Sequence, residues 1–534
     1  MSEATGNGTD DAPPVSVPPE APIPWLGLTA VLLGTFISTL TGRLSTFGLA
    51  DIRGAVHAGF DDGAWITTAF TVAQMLITPI AVWMGSIYGP RRILIAAALS
   101  FAVTSFVTPF AGNLSGILLM QFLSGLSSGC FIPLTLSFIL RSMPPRLWAY
   151  GIAVYALNLE LSLNISASLE GWYVDHLSWH WIFWQNVPLA LGMAACMHYG
   201  SKYLPPQNCI HRDIYGLATC GIGLALIYAA LDQGNRLDWL NSGIIWGLIL
   251  SGLVLLVCFV IHDLTTPYPW LDFRVAVRWP VPLLMLNVAI LRLSILATSY
   301  LVPYFLGGVR GYRALQIGDT LAWIAAPQLI LCPLAAYMLR RSDARITAAV
   351  GLGMVSFACI SVAYGLTPLW GEEQFLPSQL MQALGQSFAL SGIIFFGILH
   401  LRPQDALTFG AMLQITRLFG GEAGSSMVTT VTRIREQRAS NLIGLHLQRG
   451  AAEVVQRLHE YIQLFLHTGH QPTAAPLLLA EAVRTAATTQ ATIDGFVVVG
   501  ACAAFGLMVV TVFLPAPPQG PASHVPLLQR RAVE

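Results

Sequence analysis

Residues 243–261 read GIIWGLILSGLVLLVCFVI, nineteen positions without one charged side chain. A helix rises about 1.5 Å per residue, and the hydrocarbon layer of a bilayer is about 30 Å thick. About 20 apolar residues in succession are therefore a membrane crossing, because no water is present there to satisfy a non-helical backbone. Similar runs recur on both sides of this one. Towards the amino terminus they fall at 25–47, 64–87, 92–110, 114–140, 147–171, 179–199 and 214–231. The stretch 241–261 is the eighth, and 280–306, 319–339, 346–365, 376–401, 408–432 and 493–514 follow it. The sequence thus predicts an all-α membrane protein with about fourteen transmembrane helices.

The composition agrees. Of 534 residues, 55% are hydrophobic and 10% charged, whereas a soluble chain carries roughly 25% charged residues to cover its surface. The net charge is zero, which gives no electrostatic footprint for nucleic acid. Seven of the eight cysteines (Cys130, Cys196, Cys220, Cys258, Cys332, Cys359 and Cys502) sit in apolar runs without metal-ligand spacing and are expected to be buried free thiols. No metal or cofactor is implied.

Basic residues in short loops set the orientation. With the amino terminus inside, fourteen fall on the inner side, among them Arg91, Arg92, Arg141, Arg146, Lys202, Arg212, Arg340, Arg341, Arg345, Arg402, Arg530 and Arg531. The short outer loops hold four: Arg53, Arg236, Arg310 and Arg313. Both termini are expected in the cytoplasm, and the location expected is a bacterial inner membrane. Residues 1–24 lack the basic and cleavage regions of a signal peptide and are expected to be a disordered cytoplasmic tail. A second tail is expected at 515–534. The long stretch Arg433 to Ala491 faces outward, and within it Val454, Leu458, Tyr461 and Phe465 recur at helical spacing, predicting an amphipathic helix from Ala451 to His467. It either packs on the protein's own outer face or docks a partner.

Direct use of ATP has no support. The single lysine, in Gly200-Ser201-Lys202-Tyr203, does not fit a phosphate-cradling loop. No HExxH or GxSxG occurs. A solute carrier of this composition would run on an ion gradient or on the solute's own gradient, and no enzyme activity is indicated.

Several stretches resemble the fourteen-helix drug:proton antiporters (EmrB/QacA type) of the major facilitator superfamily. They are Trp65-Ile66-Thr67-Thr68-Ala69-Phe70 with Pro79, Ser178-Trp179-His180-Trp181-Ile182-Phe183-Trp184-Gln185-Asn186-Val187-Pro188, Leu231-Asp232-Gln233-Gly234-Asn235-Arg236-Leu237-Asp238-Trp239, and Thr416-Arg417-Leu418-Phe419-Gly420-Gly421 with Gly424. The resemblance implies a six-helix bundle over 25–199, two additional helices within a linker at 200–279, and a second six-helix bundle over 280–514 whose long periplasmic loop is 433–491. It also implies a central cavity and alternating access by rocking of the bundles.

The departures from that pattern fall on the coupling residues. The loop corresponding to the family's G-x-L-A-D-R-x-G-R-R keeps Gly89, Arg91 and Arg92, here the gating-loop candidates, but has Ser86 in place of the acid. Thr41 stands for the first-helix acid, Gln121 for the fourth-helix arginine, and Ser166-Ala167 for the fifth-helix Gly-Pro pair. The family's proton-coupling residues in the first bundle therefore do not carry over.

Charges at bilayer depth cost at least about 2.5–3.5 kcal/mol each and are kept where they are paired or face water. Glu160 lies roughly 20 Å along its helix, near the midplane. A carboxylate there can shed its charge by taking a proton, as a proton carrier requires. Arg43 and Glu170, roughly 27 Å and 33 Å from the inner ends of their helices, are candidates for a relocated charge pair. Arg292, roughly 18 Å along its helix, can hold a carboxylate-bearing solute by a two-pronged contact. Gln121, Arg417 and Glu422 complete the substrate-cavity candidates; five residues apart, Arg417 and Glu422 lie about 140° apart on their helix. The expected function is export of hydrophobic or amphipathic small molecules, coupled to protons. The alternatives are an anionic-metabolite facilitator or exporter without proton antiport, and a membrane sensor or scaffold that moves nothing. Expected partners are the small-molecule substrate, protons, the lipid bilayer, and a periplasmic adaptor leading to an outer-membrane channel.

Overall fold

A computed structural model of the chain describes residues 25–144, 147–200, 213–266, 276–277, 279–400, 406–447, 452–468 and 475–515. The expected tail at 1–24, the expected tail at 515–534 apart from Pro515, and the loop residues Arg146, Lys202, Arg212, Arg402, Arg530 and Arg531 lie outside the described residues. Within them the chain is helical and has no strand. Twelve helices are long and apolar enough to cross a membrane. They are α1 (Trp25–Phe47), α2 (Trp65–Tyr88), α3 (Pro90–Val107), α4 (Leu114–Ser142), α5 (Trp148–His176), α7 (Ile214–Gly234), α8 (Gly243–Thr265), α9 (Val281–Arg310), α10 (Ala314–Arg341), α11 (Ala344–Gly365), α12 (Glu372–Leu399) and α14 (Ala475–Phe513). Two further helices take their places in the same bundle: α6 (Asn186–Gly200) and α13 (Ala406–His446). The first is only 15 residues long and the second partly polar, yet both coincide with apolar runs expected from the sequence, 179–199 and 408–432. With them, the expected count of about fourteen is consistent with the helices described.

Local chemistry sets the helix ends. Asn113, Asp213 and Asp343 each accept a backbone N–H in the first turn of α4, α7 and α11, satisfying donors that a helix start leaves open. Gly89, at φ 83° and ψ 146°, ends α2, and Pro90 starts α3; that backbone is open to glycine and strained for any residue with a Cβ. Arg91 Nη2 donates to the His198 carbonyl at 2.5 Å, joining the start of α3 to α6.

Lipid offers no hydrophobic drive between helices, so close approach of small residues has to hold them together. A Cβ on Gly125 of α4 would stand 2.2 Å from the Phe70 carbonyl of α2, and one on Gly351 of α11 would stand 2.2 Å from the Ala389 nitrogen of α12. Helices α1–α6 pack among themselves, as do α9–α14. α7 and α8 pair with each other, and α7 also lies on both α2 and α13. On α8 only Ile245, Gly252, Phe259 and Asp263 are buried, so most of its surface, Cys258 included, faces outward. Cys196 and Cys502 are half-buried, which corrects the expectation of uniformly buried thiols; Cys130, Cys220, Cys332 and Cys359 are buried.

The stretch 433–491 differs from the loop expected of it. α13 continues as helix to His446 and α14 begins at Ala475, while the helix expected at Ala451–His467 is present at Ala452–Thr468. The 41 residues of α13 span about 60 Å, about twice the hydrocarbon thickness. Beyond the membrane, polar residues sustain the helix, and Arg435 of α13 pairs with Asp494 of α14 at 3.5 Å.

The two ends of α1 define two faces of the bundle, a Trp25 face and a Phe47 face. In the half towards the Trp25 face, one continuous core joins α1, α2, α4 and α5 to α9, α12 and α13. There a Cβ on Gly410 of α13 would meet the Pro133 carbonyl of α4 at 2.8 Å. In the other half the apolar clusters separate. Leu40, Leu44, Ile66, Ile117 and Phe183 form one. Leu301, Phe305, Leu321, Val355 and Phe496 belong to another. Across that half, α5 still touches α10, with Ser168 Oγ donating to the Gly318 carbonyl at 2.8 Å. The helix sets thus share one core on the Trp25 side. On the Phe47 side they meet along α5 and α10, where Ala167 joins the second cluster and a Cβ on Gly171 would stand 2.7 Å from Leu315 Cα; away from that seam the clusters are separate.

Candidate functional site

Between the helix sets lies a cavity of ≈ 220 Å³. Its walls come from α1 (Ser38, Thr39, Gly42, Arg43, Thr46), α2 (Thr67, Phe70, Thr71, Gln74), α7 (Tyr228, Asp232), α9 (Arg292, Ile295, Leu296, Ser299) and α13 (Arg417, Leu418, Gly421, Glu422, Ser425), with Leu163 from α5. Thr46 is exposed. Hydroxyls and ionisable groups outnumber apolar side chains, an arrangement that intramembrane residues tolerate where they face a water-accessible space.

Glycines bring the wall helices together. A Cβ on Gly420 of α13 would stand 2.5 Å from Ala289 Cα, and one on Gly424 would stand 2.9 Å from Leu293 Cα. α13 and α9 therefore run in backbone contact, and the Arg292 side chain lies across Gly421, whose added Cβ would be 3.8 Å from Nε. In the middle of α9 a π-turn over Ala297–Leu301 interrupts the regular ladder beside the cavity, a distortion often found at functional sites. Arg43 Nη2 donates to the Ser299 carbonyl of that turn at 3.5 Å, linking α1 to α9. At the junction of α1, α2 and α4, Gln74 Nε2 donates to Ser38 Oγ at 3.1 Å and to Ser128 Oγ at 2.8 Å.

Three arginines share the cavity, and their environments differ. Arg417 is buried and well supplied: Nε and Nη2 both donate to Gln414 Oε1, at 3.2 Å and 3.0 Å, and Nη1 donates to Thr39 Oγ1 at 3.4 Å. Arg43 stacks near the Phe47 ring at 5.6 Å, while its Nε makes no hydrogen bond among the described residues. Arg292 has neither its Nε nor its Nη1 engaged among the described residues. It is close enough to Arg43 and Arg417 to act on both electrostatically.

The carboxylates are arranged otherwise. Glu422 accepts from the Tyr228 hydroxyl at 3.0 Å. Asp232 accepts from Thr68 Oγ1 and from Gln233 Nε2. Glu160, fully buried, lies one turn along α5 from the cavity-lining Leu163; neither of its oxygens accepts a hydrogen bond among the described residues. It sits in the field of Arg292 and Arg417. Among the described ion pairs, none joins two of these cavity charges.

Of the residues singled out in the sequence, Arg43, Arg292, Arg417 and Glu422 come together around this space, with Glu160 beneath it. Glu170 does not join them. It is buried beside Gly48, and its charged neighbours are Asp51 and Asp175, so it stands apart from Arg43 and no ion pair between them is formed among the described residues. Gln121 is likewise outside the cavity, donating from Nε2 to Ser45 Oγ at 3.2 Å. Gly89, Arg91 and Arg92 lie at the α2–α3 turn on the Trp25 face. Sequence reading missed Tyr228 and Asp232. Asp232 was on view in Leu231-Asp232-Gln233-Gly234, and an acid in the last turn of an apolar helix was the available signal.

A polytopic bundle with a charged central cavity and a seal on one side defines a solute carrier. The profile described as Major Facilitator Superfamily matches residues 31–427, and the chain belongs to that family. It is similar to the multidrug export protein EmrB of Haemophilus influenzae, at 26% identity over 420 residues, 76% of this chain and 80% of that one. The fatty acid resistance protein FarB of Neisseria gonorrhoeae is 24% identical over 430 residues, 80% of this chain and 83% of that one. Among solved structures, the proton:xylose symporter XylE superposes with a TM-score of 0.59 at 10% identity, covering 96% of this chain and 99% of that one. The human organic anion transporter MFSD10 gives 0.56 at 13% identity, covering 92% and 100%. At those identities the solved structures show the fold. The chain is thus a multi-pass membrane transporter with export proteins among its relatives.

Proposed function

We propose that this transporter exports amphipathic small molecules across a bacterial inner membrane by alternating access, and that a proton exchanging at Glu160 couples the cycle. The observation that carries the reading is the cavity between the helix sets, closed on the Trp25 side by one core and bordered on the Phe47 side by separate clusters that meet only along the α5–α10 seam. The arginines of the Trp25 face (Arg91, Arg92, Arg340, Arg341, Arg345) support placing that face, and both termini, in the cytoplasm. On that placement the cavity is the releasing, outward-facing one. The relatives named for multidrug export and fatty acid resistance support export of amphipaths. Glu160 suits a proton carrier because it is buried, has no hydrogen-bond partner among the described residues, and lies between the cavity and the Trp25-side core. In this reading the sequences 25–199 and 280–514 rock as two bundles, and the α2–α3 turn at Gly89, Arg91 and Arg92 closes the cytoplasmic side.

The test is transport by purified protein in proteoliposomes. An imposed pH gradient should drive accumulation of a fluorescent amphipath, and Glu160→Gln should abolish the gradient's effect. Accumulation indifferent to the gradient in the unaltered protein would refute proton coupling and favour the facilitator.

On the outer side, the extension of α13 with the helix Ala452–Thr468 offers a surface for a periplasmic adaptor that continues export to an outer-membrane channel. The support is its reach beyond the membrane. Deleting 448–474 should leave flux in proteoliposomes intact and abolish resistance in cells; intact resistance would remove the adaptor.

A further inference from the structure

The cavity carries unequal demand for ligands of the two signs. Its carboxylates have neutral donors: Tyr228 serves Glu422, and Thr68 and Gln233 serve Asp232. Of its cations, Arg417 is satisfied by Gln414 and Thr39. Arg292 is not, since Nε and Nη1, both shielded from solvent, donate to nothing among the described residues. A buried donor left unmade costs more than an ordinary hydrogen bond is worth, and more again when the group is charged. Arg43 and Arg417 stand near enough to repel it. The group that relieves all of this is an anion, and a planar guanidinium takes a carboxylate by two parallel N–H···O contacts.

We infer that the cavity selects organic anions: a carboxylate headgroup seats on Arg292 while an apolar body lies against Phe70, Leu163 and Ile295. Those three side chains line the same space as the arginine, so both ends of an amphipath are provided for. The Tyr228, Thr68 and Gln233 contacts occupy one oxygen of each carboxylate, Glu422 Oε2 and Asp232 Oδ2, so the preference for anions rests on Arg292, whose buried donors are unmade among the described residues. Glu160 is the anion that acts on Arg292 within the protein, and its protonation leaves Arg292 to the substrate. An anion leaving a cell with a negative interior also gains about 2.3 kcal/mol per 100 mV, so outward movement of this class is favoured electrically whatever the proton does. The assignment rests on the central cavity being the transport site, but binding to it can be measured without transport.

The experiment is equilibrium binding to the full-length protein in nanodiscs, with three probes sharing one body: 4-butylbenzoate, 4-butylbenzamide and 4-butylbenzylammonium. The benzoate is expected to bind at least tenfold more tightly than either of the others. Arg292→Gln should erase that preference, and Arg292→Lys, which keeps the charge but loses the fork, should retain part of it. Size-exclusion elution and thermal unfolding check that the variants are folded. If Arg292→Gln does not fold, the wild-type ranking together with Arg292→Lys decides. Equal affinity for all three probes, a preference for the ammonium, or an undiminished benzoate preference in folded Arg292→Gln would overturn the inference. Selective benzoate binding without benzoate flux in proteoliposomes would sink the export reading and leave the anion selectivity standing.

Discussion

The Tyr228 hydroxyl of α7 donates to the Glu422 carboxylate of α13 at 3.0 Å, at the wall of the central cavity. Tyr228 also meets Phe419 edge to face, with ring centroids 6.3 Å apart. Ser426 Oγ donates to the Leu231 carbonyl at 2.6 Å, holding α7 and α13 together a turn away. A Cβ on Gly221 of α7 would stand 2.6 Å from the Leu76 carbonyl of α2. α7 therefore closes the side of the cavity between α2 and α13, and it contributes to the lining as well as to the linkage.

Tyr228→Phe keeps the ring and removes the donor. An acceptor left unsatisfied in that setting costs about 1–3 kcal/mol. The variant is expected to fold, to unfold at a slightly lower temperature, and to transport several-fold more slowly. Flux equal to that of the unaltered protein would show that the α7–α13 contact has no part in the cycle.

Glu160→Gln fixes that side chain in an uncharged form. The flux of the unaltered protein is expected to vary with pH on the side from which Glu160 is reached, and the variant's flux to be flat over the same range. An unchanged pH profile would transfer the proton to another group, with the cavity acids Glu422 and Asp232 the next to examine.

Gly410→Val puts side-chain atoms where the Pro133 carbonyl already lies 2.8 Å from the ideal Cβ position. Overpacking of this kind costs about 1–3 kcal/mol, and here it is borne by the sealed state. The variant should open more readily on the Trp25 face, read as faster labelling of a cysteine placed at Leu407. Labelling no faster than in the parent would mean that the α4–α13 contact is not part of the seal.

Gln414→Leu removes the acceptor that two nitrogens of Arg417 share. Hydrogen bonds to charged groups are worth about 1.5–3 kcal/mol, so thermal unfolding in detergent should shift down clearly. Gln414→Glu should restore much of the loss. A neutral result for Gln414→Leu would place Arg417's support elsewhere.

Hydropathy made most of the membrane helices legible, because a lipid-crossing segment must be apolar along its length and nearly nothing else in a chain is. It could not register α13 beyond residue 432, where the helix leaves the lipid and polar residues carry it on to His446. It also ran the α5–α6 junction into one segment at 179–199, where Trp181–Trp184 forms a separate turn before α6. Charges inside the membrane pointed to Arg292, Arg417 and Glu422, since few roles justify their cost. The pairing of Arg43 with Glu170 failed because depth along a helix says nothing of azimuth. Arg43 turns towards α9, and Glu170 turns towards Gly48 and the acids of the Phe47 face. Asp232 had a signal in the sequence, an acid in the last turn of an apolar helix, but Tyr228 was hidden by topology: only the packed bundle reveals that an added helix reaches the cavity.

Side-specific thiol labelling tests the central assignment most directly. With Ser425→Cys as the sole cysteine, a membrane-impermeant maleimide should react from the outside of intact cells and not from the cytoplasmic side of inverted vesicles, as a cavity parted on the Phe47 side and sealed on the Trp25 side requires. Reaction from the cytoplasmic side alone, or from neither, would contradict it.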